Sequence, residues 1–381
     1  MHDFTIPIGP QHPSIKEPTC LRLSLEGNYI REAEIRFGYA HRGIEKLLED
    51  KRIEKALQIA QRICGICSFA HSGCFVQAIE RMLEYDAPTR VKYIRTLIAE
   101  LERIHSHCLW MGVMMHEIGF ETMFQYFLRE REHVLEIFER ITGGRVHHGI
   151  NRVKTVRYDI TNHDIGFILK KMDVLKKNIS TYLRIVEKNR SIKSRLVDVG
   201  VISRNQAKRY CLVGPVARAS GISKDIRRDD QYEAYSMIDF DVIVADTGDA
   251  YTRTIVRMKE ILESISIITK LLKNMPGGNI PPCSPVFIGM GRAIGRVEAP
   301  RGENFHLLLV KHNKIERARI RPPTFANISI LPSLLENREV GDTPVILNSL
   351  DPCFSCMERV IILKDGKTEV LTEHEFRRKY T

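Results

Sequence analysis

The chain opens on a period of two. Phe4–Pro7 is a short apolar run, Cys20–Leu25 alternates apolar and polar positions, and Ile30–Phe37 resumes the alternation after Gly27-Asn28. Such alternation marks half-buried strands, and Gly-Asn between two of them predicts a hairpin. Residues 1–40 therefore read as a small β-rich unit. Gly9-Pro10-Gln11-His12-Pro13 interrupts it as a loop, because proline fixes φ and removes a backbone donor.

From Gly43 the period becomes helical. Ile44, Leu47, Leu48, Ile53, Leu57 and Ala60 keep one face, and a further helix is predicted from His71 or Ser72 to Glu84. After Asp86-Ala87-Pro88 comes the strongest periodic stretch, Thr89–His116. Its apolar residues, from Val91 and Ile94 through Leu101 to Cys108, recur at spacings of three and four. Phe120–Ile141 ends at Gly143-Gly144, and Ile168–Ile185 and Ala250–Lys273 are two more long amphipathic segments. Together they predict a central helical bundle. Ser203–Tyr210 reads as a short helix, Gly214–Gly221 as irregular, and Asp225, Arg227, Arg228, Asp229 and Asp230 as a solvated charged face.

Period two then returns. Gly291–Glu298, His306–Lys311 and Lys314–Ile320 predict an antiparallel meander at about 285–320, with turns at Arg301-Gly302-Glu303 and His312-Asn313. A short helix follows near Ile328–Leu335. Val360–Leu363 and Thr368–Leu371 read as a hairpin before the polar stretch Thr372–Tyr380. The expected class is α+β: a β unit at 1–40, a core at 41–359 and an appended segment at 360–381.

Composition changes this picture little. With 43% hydrophobic and 28% charged residues, the chain reads as folded. No apolar run nears the roughly 18 residues of a membrane helix. Met1-His2-Asp3-Phe4 does not begin a secretory signal. The net charge of +11 is dispersed among acidic residues without a repeated basic–aromatic pattern. That argues against nucleic acid and for a basic face toward acidic partners or lipid headgroups.

The cysteines carry the chemistry. There are nine, an odd number that argues against a disulfide scaffold. Cys20, Cys74, Cys108, Cys211 and Cys283 stand alone and read as buried apolar packing. The other four form two Cys-x-x-Cys pairs, Arg62-Ile63-Cys64-Gly65-Ile66-Cys67 and Asp351-Pro352-Cys353-Phe354-Ser355-Cys356. Each pair is half of a four-thiolate site. A structural zinc knuckle usually closes locally, whereas nearly the whole chain separates these halves. A catalytic metal, structural zinc and an iron–sulfur cluster all remain open on spacing alone. Arg62 and His71 are expected to donate to the concentrated negative charge of the sulfurs.

Taken jointly, several motifs narrow the choice. They are Gly9-Pro10-Gln11-His12-Pro13, Arg42-Gly43-Ile44-Glu45, the first cysteine motif with His71, and Gly214-Pro215 with Arg218, Ser220, Gly221 and Asp225. The last two are Glu298-Ala299-Pro300-Arg301-Gly302 and the second cysteine motif running to Arg359. In these the chain resembles the large subunits of nickel–iron hydrogenases. It is most similar to the membrane-bound, energy-converting group related to the 49 kDa subunit of complex I. The resemblance covers nearly everything up to Arg359 and implies the nickel–iron hydrogenase large-subunit-like fold.

It further implies a binuclear Ni–Fe centre whose iron carries CO and CN ligands. Cys64 and Cys353 would be terminal nickel ligands, and Cys67 and Cys356 bridging ones. The implied reaction is H2 ⇌ 2 H+ + 2 e−. Arg301 would overhang the centre, and Glu17 would begin the proton relay. His12, Glu45 and His71 are further relay candidates, Arg218 and Asp225 scaffold ion-pair residues, and Asp351 a positioner of the second cysteine turn. Electrons would pass to a small subunit carrying a proximal [4Fe-4S] cluster and to ferredoxin-type subunits. Antiporter-like membrane subunits would hold the assembly at the cytoplasmic face of the membrane. A maturation endopeptidase is expected to cut between Arg359 and Val360. Complex I subunits lack the four cysteines. The alternatives are therefore a quinone- or other acceptor-reducing relative without nickel, or a structural subunit with zinc.

Overall fold

The computed structural model describes residues 4–13, 15–357 and 359, with two short strands at 362–364 and 367–369. The fold is α+β. Strands β1 (Phe4–Ile8), β2 (Cys20–Glu26) and β3 (Tyr29–Arg36) form an antiparallel sheet in that order. Alternation buries Leu21, Leu23 and Leu25 of β2 with Ile30 and Ala33 of β3.

The helical stretch expected from Gly43 is split into α1 (Ile44–Leu48) and α2 (Ile53–Ala60). Asp50, at φ 59°, turns the chain between them. The Asp50 N–H donates to the Ile315 carbonyl at 2.8 Å, and the Ile315 N–H donates to the Lys51 carbonyl at 2.9 Å. Pairing with a distant strand overrides the local helical period there. Helix α3 (Ser68–Met82) starts earlier than predicted, with Cys67 at its N-cap. The long helices α4 (Thr89–Glu117) and α5 (Glu121–Thr142) follow, the second closed by Gly143 at φ 74°.

A small hairpin, β4 (Asn151–Arg152) and β5 (Thr155–Val156), precedes α6 (Asn162–Lys188). Helix α6 begins well before its apolar period, because Thr161 and Asp164 form a capping box. The short helices α7 (Arg190–Leu196), α8 (Arg204–Arg209), α9 (Gly214–Arg218) and α10 (Ile226–Asp229) lead to α11 (Ala250–Lys273). Helix α9 lies where an irregular segment was expected; Pro215 occupies its first turn, where a missing N–H costs nothing.

The late sheet is β6 (Met290–Ala299), β7 (Gly302–Lys311) and β8 (Lys314–Arg321), antiparallel in that order. Ala299 pairs with Gly302, so the first turn is Pro300-Arg301 and Arg301 sits at its tip. The predicted second turn, His312-Asn313, is present with both residues at positive φ. Helices α12 (Pro323–Asn327), α13 (Leu331–Leu335) and α14 (Thr343–Ser349) precede the second cysteine turn. Strands β9 (Ile362–Lys364) and β10 (Lys367–Glu369) pair as the predicted hairpin. The polar stretch 372–380 and the residue after the expected cleavage bond, Val360, lie outside the described residues.

Helix α4 is the centre of the core, packed by α5 and α11, with α6 against both of those. It buries its polar residues as well as its apolar stripe: Arg95, Glu100, Glu102 and Arg103 are all inside. The charged segment at 225–230 corrects the solvated-face expectation in part, since Asp225 and Arg227 are buried. The reason is pairing. Arg227 binds Asp225 at 2.6 Å and Glu100 at 3.1 Å, and Arg218 binds Glu260 at 2.8 Å and Glu298 at 2.7 Å. This network ties α4, α9, α10 and α11 to β6.

Two glycines set the approach of backbones. A Cβ on Gly295 of β6 would lie 1.8 Å from the Cys74 carbonyl oxygen of α3, and one on Gly214 would lie 2.3 Å from the Arg301 carbonyl oxygen. Both positions need glycine for the sheet to reach the helices.

Candidate metal centre

The two cysteine turns meet. The Cys64 and Cys353 Sγ atoms are 3.6 Å apart, Cys67 and Cys356 3.9 Å, and Cys353 and Cys356 2.9 Å. The sulfurs of Cys64, Cys67 and Cys356 all lie within 4.8 Å of one another, close enough to hold one metal. Cys353 joins them through its contacts with Cys64 and Cys356. All four residues are buried. Among the singletons, Cys20, Cys74 and Cys108 are buried as expected, but Cys211 and Cys283 are exposed. Single positions without a periodic context do not encode burial, and Cys211 sits at φ 52° just beyond α8.

Local backbone begins the site. The N–H groups of Ile66 and Cys67 donate to the Cys64 sulfur at 3.2 and 3.3 Å, in the turn that opens α3. Hydrogen bonding with the other three cysteines, with a weaker contribution from the Arg301 charge, holds the Cys64 thiol well below its usual pKa. The donor set is soft and sulfur-rich, and it suits nickel and iron. His71 Nε2 is buried without a hydrogen-bond partner, and Asp351 Oδ2 is buried with the Arg257 guanidinium 4.0 Å away. Four gathered thiols fit a thiolate-held metal group.

Arg42 joins the halves. Its guanidinium donates to the carbonyls of Arg62 at 3.0 Å and Ile63 at 2.6 Å before the first pair, and of Ser355 at 2.8 Å within the second. Arg62, the expected donor to sulfur, is exposed and donates to the Gln58 carbonyl at 2.7 Å. Arg42 holds the turns instead.

Arg301 is buried at the tip of the β6–β7 turn. It pairs with the Asp351 carboxylate at 2.8 Å, and donates to the Asp351 carbonyl at 3.0 Å and to Ser106 Oγ at 3.2 Å. Burial opposes its charge, but Asp351 and the nearby cysteines outweigh that and keep it firmly protonated. Asp351, at φ 54° just before the second pair, thereby fixes that turn to the sheet.

Glu17 reaches the opposite side. Its carboxylate accepts from the Ser355 N–H at 3.0 Å and Ser355 Oγ at 2.6 Å, and lies 3.7 Å from the Cys353 sulfur. It also lines a surface groove with His12 and Lys16, so it touches both sulfur and the outside. His12 is exposed in that groove. Glu45 is elsewhere: it accepts from the Ile320 N–H at 2.8 Å and pairs with Arg319 at 3.3 Å and Arg359 at 3.4 Å, anchoring β8 and the chain beyond Cys356. His71 is buried behind the first pair, with Nδ1 3.1 Å from His306 Nε2 and 3.3 Å from Asn304 Nδ2. Burial lowers its pKa to about 4, so it is neutral at physiological pH.

Sequence reasoning missed Glu102, which accepts from the Phe69 N–H at 2.6 Å and the Ala70 N–H at 2.9 Å and so caps α3 just past Cys67. A glutamate on a long amphipathic helix reads as solvated. Only its aim at the free N–H groups of another helix's first turn distinguishes it.

The fold and this pocket can be set beside known proteins. The family model for "Respiratory-chain NADH dehydrogenase, 49 Kd subunit" matches residues 117–288 and 283–359, and that for "Nickel-dependent hydrogenase" matches residues 42–117. The alpha chain of the membrane-bound hydrogenase of Pyrococcus furiosus is 34% identical over 97% of this chain and 91% of its own length. The chain belongs to the superfamily of nickel–iron hydrogenase large subunits and complex I 49 kDa subunits. The superfamily holds more than one chemistry. A component of the F(420)H(2) dehydrogenase of Methanosarcina mazei is 35% identical over 94% of this chain and 98% of its own. A chain of the membrane-bound sulfane sulfur reductase, an archaeal respiratory membrane complex, superposes with TM-score 0.89 at 28% identity over 94% of this chain and 98% of that one. No helix among the described residues is long and apolar enough to cross a membrane.

Proposed function

We propose that this chain is the catalytic large subunit of a multisubunit, membrane-bound [NiFe]-hydrogenase. The carrying observation is that the sulfurs of Cys64, Cys67, Cys353 and Cys356 gather in one buried pocket from opposite ends of the chain. These residues would hold the binuclear centre through their sulfurs. When bound, that centre supplies the heterolytic cleavage of H2 and accepts the electrons.

The protein's own residues do the rest. Arg301, fixed by Asp351 and Ser106, presents a buried positive charge to the pocket and stabilises negative charge that develops there. Its firm protonation makes it an electrostatic clamp and a poor base. Glu17, between the Cys353 sulfur and the outer groove, takes the proton and passes it outward. Asp351 and Arg42 keep the two cysteine turns in register.

The chain would deliver electrons to a small subunit with a proximal [4Fe-4S] cluster and on to ferredoxin-type subunits. Antiporter-like membrane subunits would hold it peripherally at the cytoplasmic face and couple the redox step to ion movement. A maturation endopeptidase would cut after Arg359; the intact mass of the active subunit tests that bond, and a chain retaining Thr381 refutes it.

A second reading has its own support. The 49 kDa model matches a longer part of the chain than the hydrogenase model does, and acceptor-reducing relatives are equally similar. On that reading the chain reduces a quinone or another acceptor without nickel. Metal analysis decides. Nickel and iron near one each per chain, with infrared bands of iron-bound CO and CN and H2-dependent electron transfer, support the hydrogenase. A complex without nickel that reduces an acceptor supports the second reading, and zinc alone leaves a structural subunit.

A further inference from the structure

Behind the first turn of α3 lies a small cavity of about 20 Å3, enough for a water molecule. Glu102, Tyr232, Glu233 and Glu298 all border it. Glu102 is held by the Phe69 and Ala70 N–H groups, just past Cys67, and is near enough to Cys64 to feel its charge. Tyr232 also borders the cavity. Its hydroxyl oxygen accepts from the Glu298 N–H at 3.1 Å, which leaves its own proton free to be donated.

Glu233 is the outlet. Its side chain is 17% exposed, and one oxygen pairs with Arg95 at 3.1 Å. The other, Oε2, is buried and has no hydrogen-bond partner. The residue sits at φ 49°, a backbone that glutamate rarely adopts. A strained carboxylate with an unspent oxygen beside a water-sized cavity is poorly explained by packing alone.

We propose that Glu102, the Tyr232 hydroxyl and Glu233 form a second proton route between the cysteine pocket and solvent, separate from Glu17. The proposal rests on the hydrogen-chemistry reading above. The Glu102 carboxylate takes a proton from the pocket and forms an O–H bond. It passes that proton to a cavity water or to the Tyr232 oxygen, which gives its own proton to the Glu233 carboxylate. Glu233 then releases it to solvent; no electron moves, and proton uptake runs the same steps in reverse.

The charges around the route suit it. Glu102 is faced by Arg103 and by Cys64, and burial raises it to about 8. Glu233 is faced by Arg95, Glu80 and Lys92, and burial raises it too. Glu298, faced by Asp225, Arg218 and Arg103, is likewise raised by burial. A carboxyl raised to about 8, as Glu102 is, both accepts and releases protons near neutral pH.

Infrared spectroscopy of the purified complex tests the route without depending on turnover. A C=O band of a protonated carboxyl should be present at neutral pH, vanish in Glu102→Gln and shift on transfer to D2O. Its deuterium exchange should slow by about tenfold or more in Glu233→Gln and Tyr232→Phe, and stay unchanged in Glu17→Gln. A band that survives Glu102→Gln, or exchange equally fast in the wild type and both of the other route variants, overturns the proposal. If Glu102→Gln does not fold, Glu233→Gln and Tyr232→Phe carry the test alone. A nickel-free complex that keeps the band and its Glu233-dependent exchange refutes the hydrogenase reading and supports the conduit.

Discussion

Cys356 and Cys211 are the same residue type in opposite surroundings, one buried against three other thiols and one exposed. If the chain is a hydrogenase, as proposed, Cys356→Ser should abolish nickel binding and H2 activity, while Cys211→Ser should leave both near wild type; equal loss in two folded variants would contradict the ligand assignment. Asp225 shows the scaffold's part. Although burial alone would raise it, Arg227 and Arg218 hold its carboxyl down at about 2. A carboxyl depressed in the folded state stabilises fully above its unfolded pKa, near 4. That contribution, about 2 kcal/mol, is lost as pH falls through about 2. Asp225→Asn strands Arg227 beside Glu100 alone and should cost about 3 kcal/mol at neutral pH. Denaturant melts should show the gap to wild type narrowing toward pH 2; a constant gap would place the loss in packing instead.

At the scale of elements, the contact between α3 and β6 decides where Cys67 sits. The Cys74 carbonyl meets the bare Cα side of Gly295, and the close fit leaves no room for a methyl group. Gly295→Ala should push the sheet off the helix, cost about 3 kcal/mol and lower nickel content in the protein that still folds. Thermal melts with parallel metal analysis check both; full nickel loading at wild-type stability would show that the helix tolerates the shift. Gly214 plays the same part under the Pro300-Arg301 turn, so the arginine's position depends on a helix far from it in sequence.

Across the whole molecule, the site is a joint between chain ends. Arg42 binds carbonyls on both cysteine turns. The backbone of β3 is likewise stitched to late residues, with the Ile30 N–H donating to the Arg338 carbonyl at 2.9 Å. A metal bound only by the folded state stabilises by mass action. Removing it should lower the unfolding temperature of the wild type and lower it less in Arg42→Ala, whose turns are already loosened. If chelation shifts both by the same amount, Arg42 does not couple the turns.

Much of this was legible in the amino-acid order. Period two marked β2, β3 and the late sheet, and spacings of three and four marked α4, α5 and α11, because one-sided burial imprints its own period. The four cysteines, Glu17 and Arg301 were legible as candidates from motif and resemblance; the fold gathers the four sulfurs and sets Glu17 3.7 Å from that of Cys353. What the sequence could not carry was the meaning of charge. Arg227 and Asp225 read as solvated, and Arg62 read as the sulfur donor rather than Arg42. Glu102 could not be told from any other glutamate on a helix. Local order records a side chain's chemistry and its element's period. Whether a charge is buried, and which distant backbone group it meets, depends on partners that only the packed structure brings within hydrogen-bond reach.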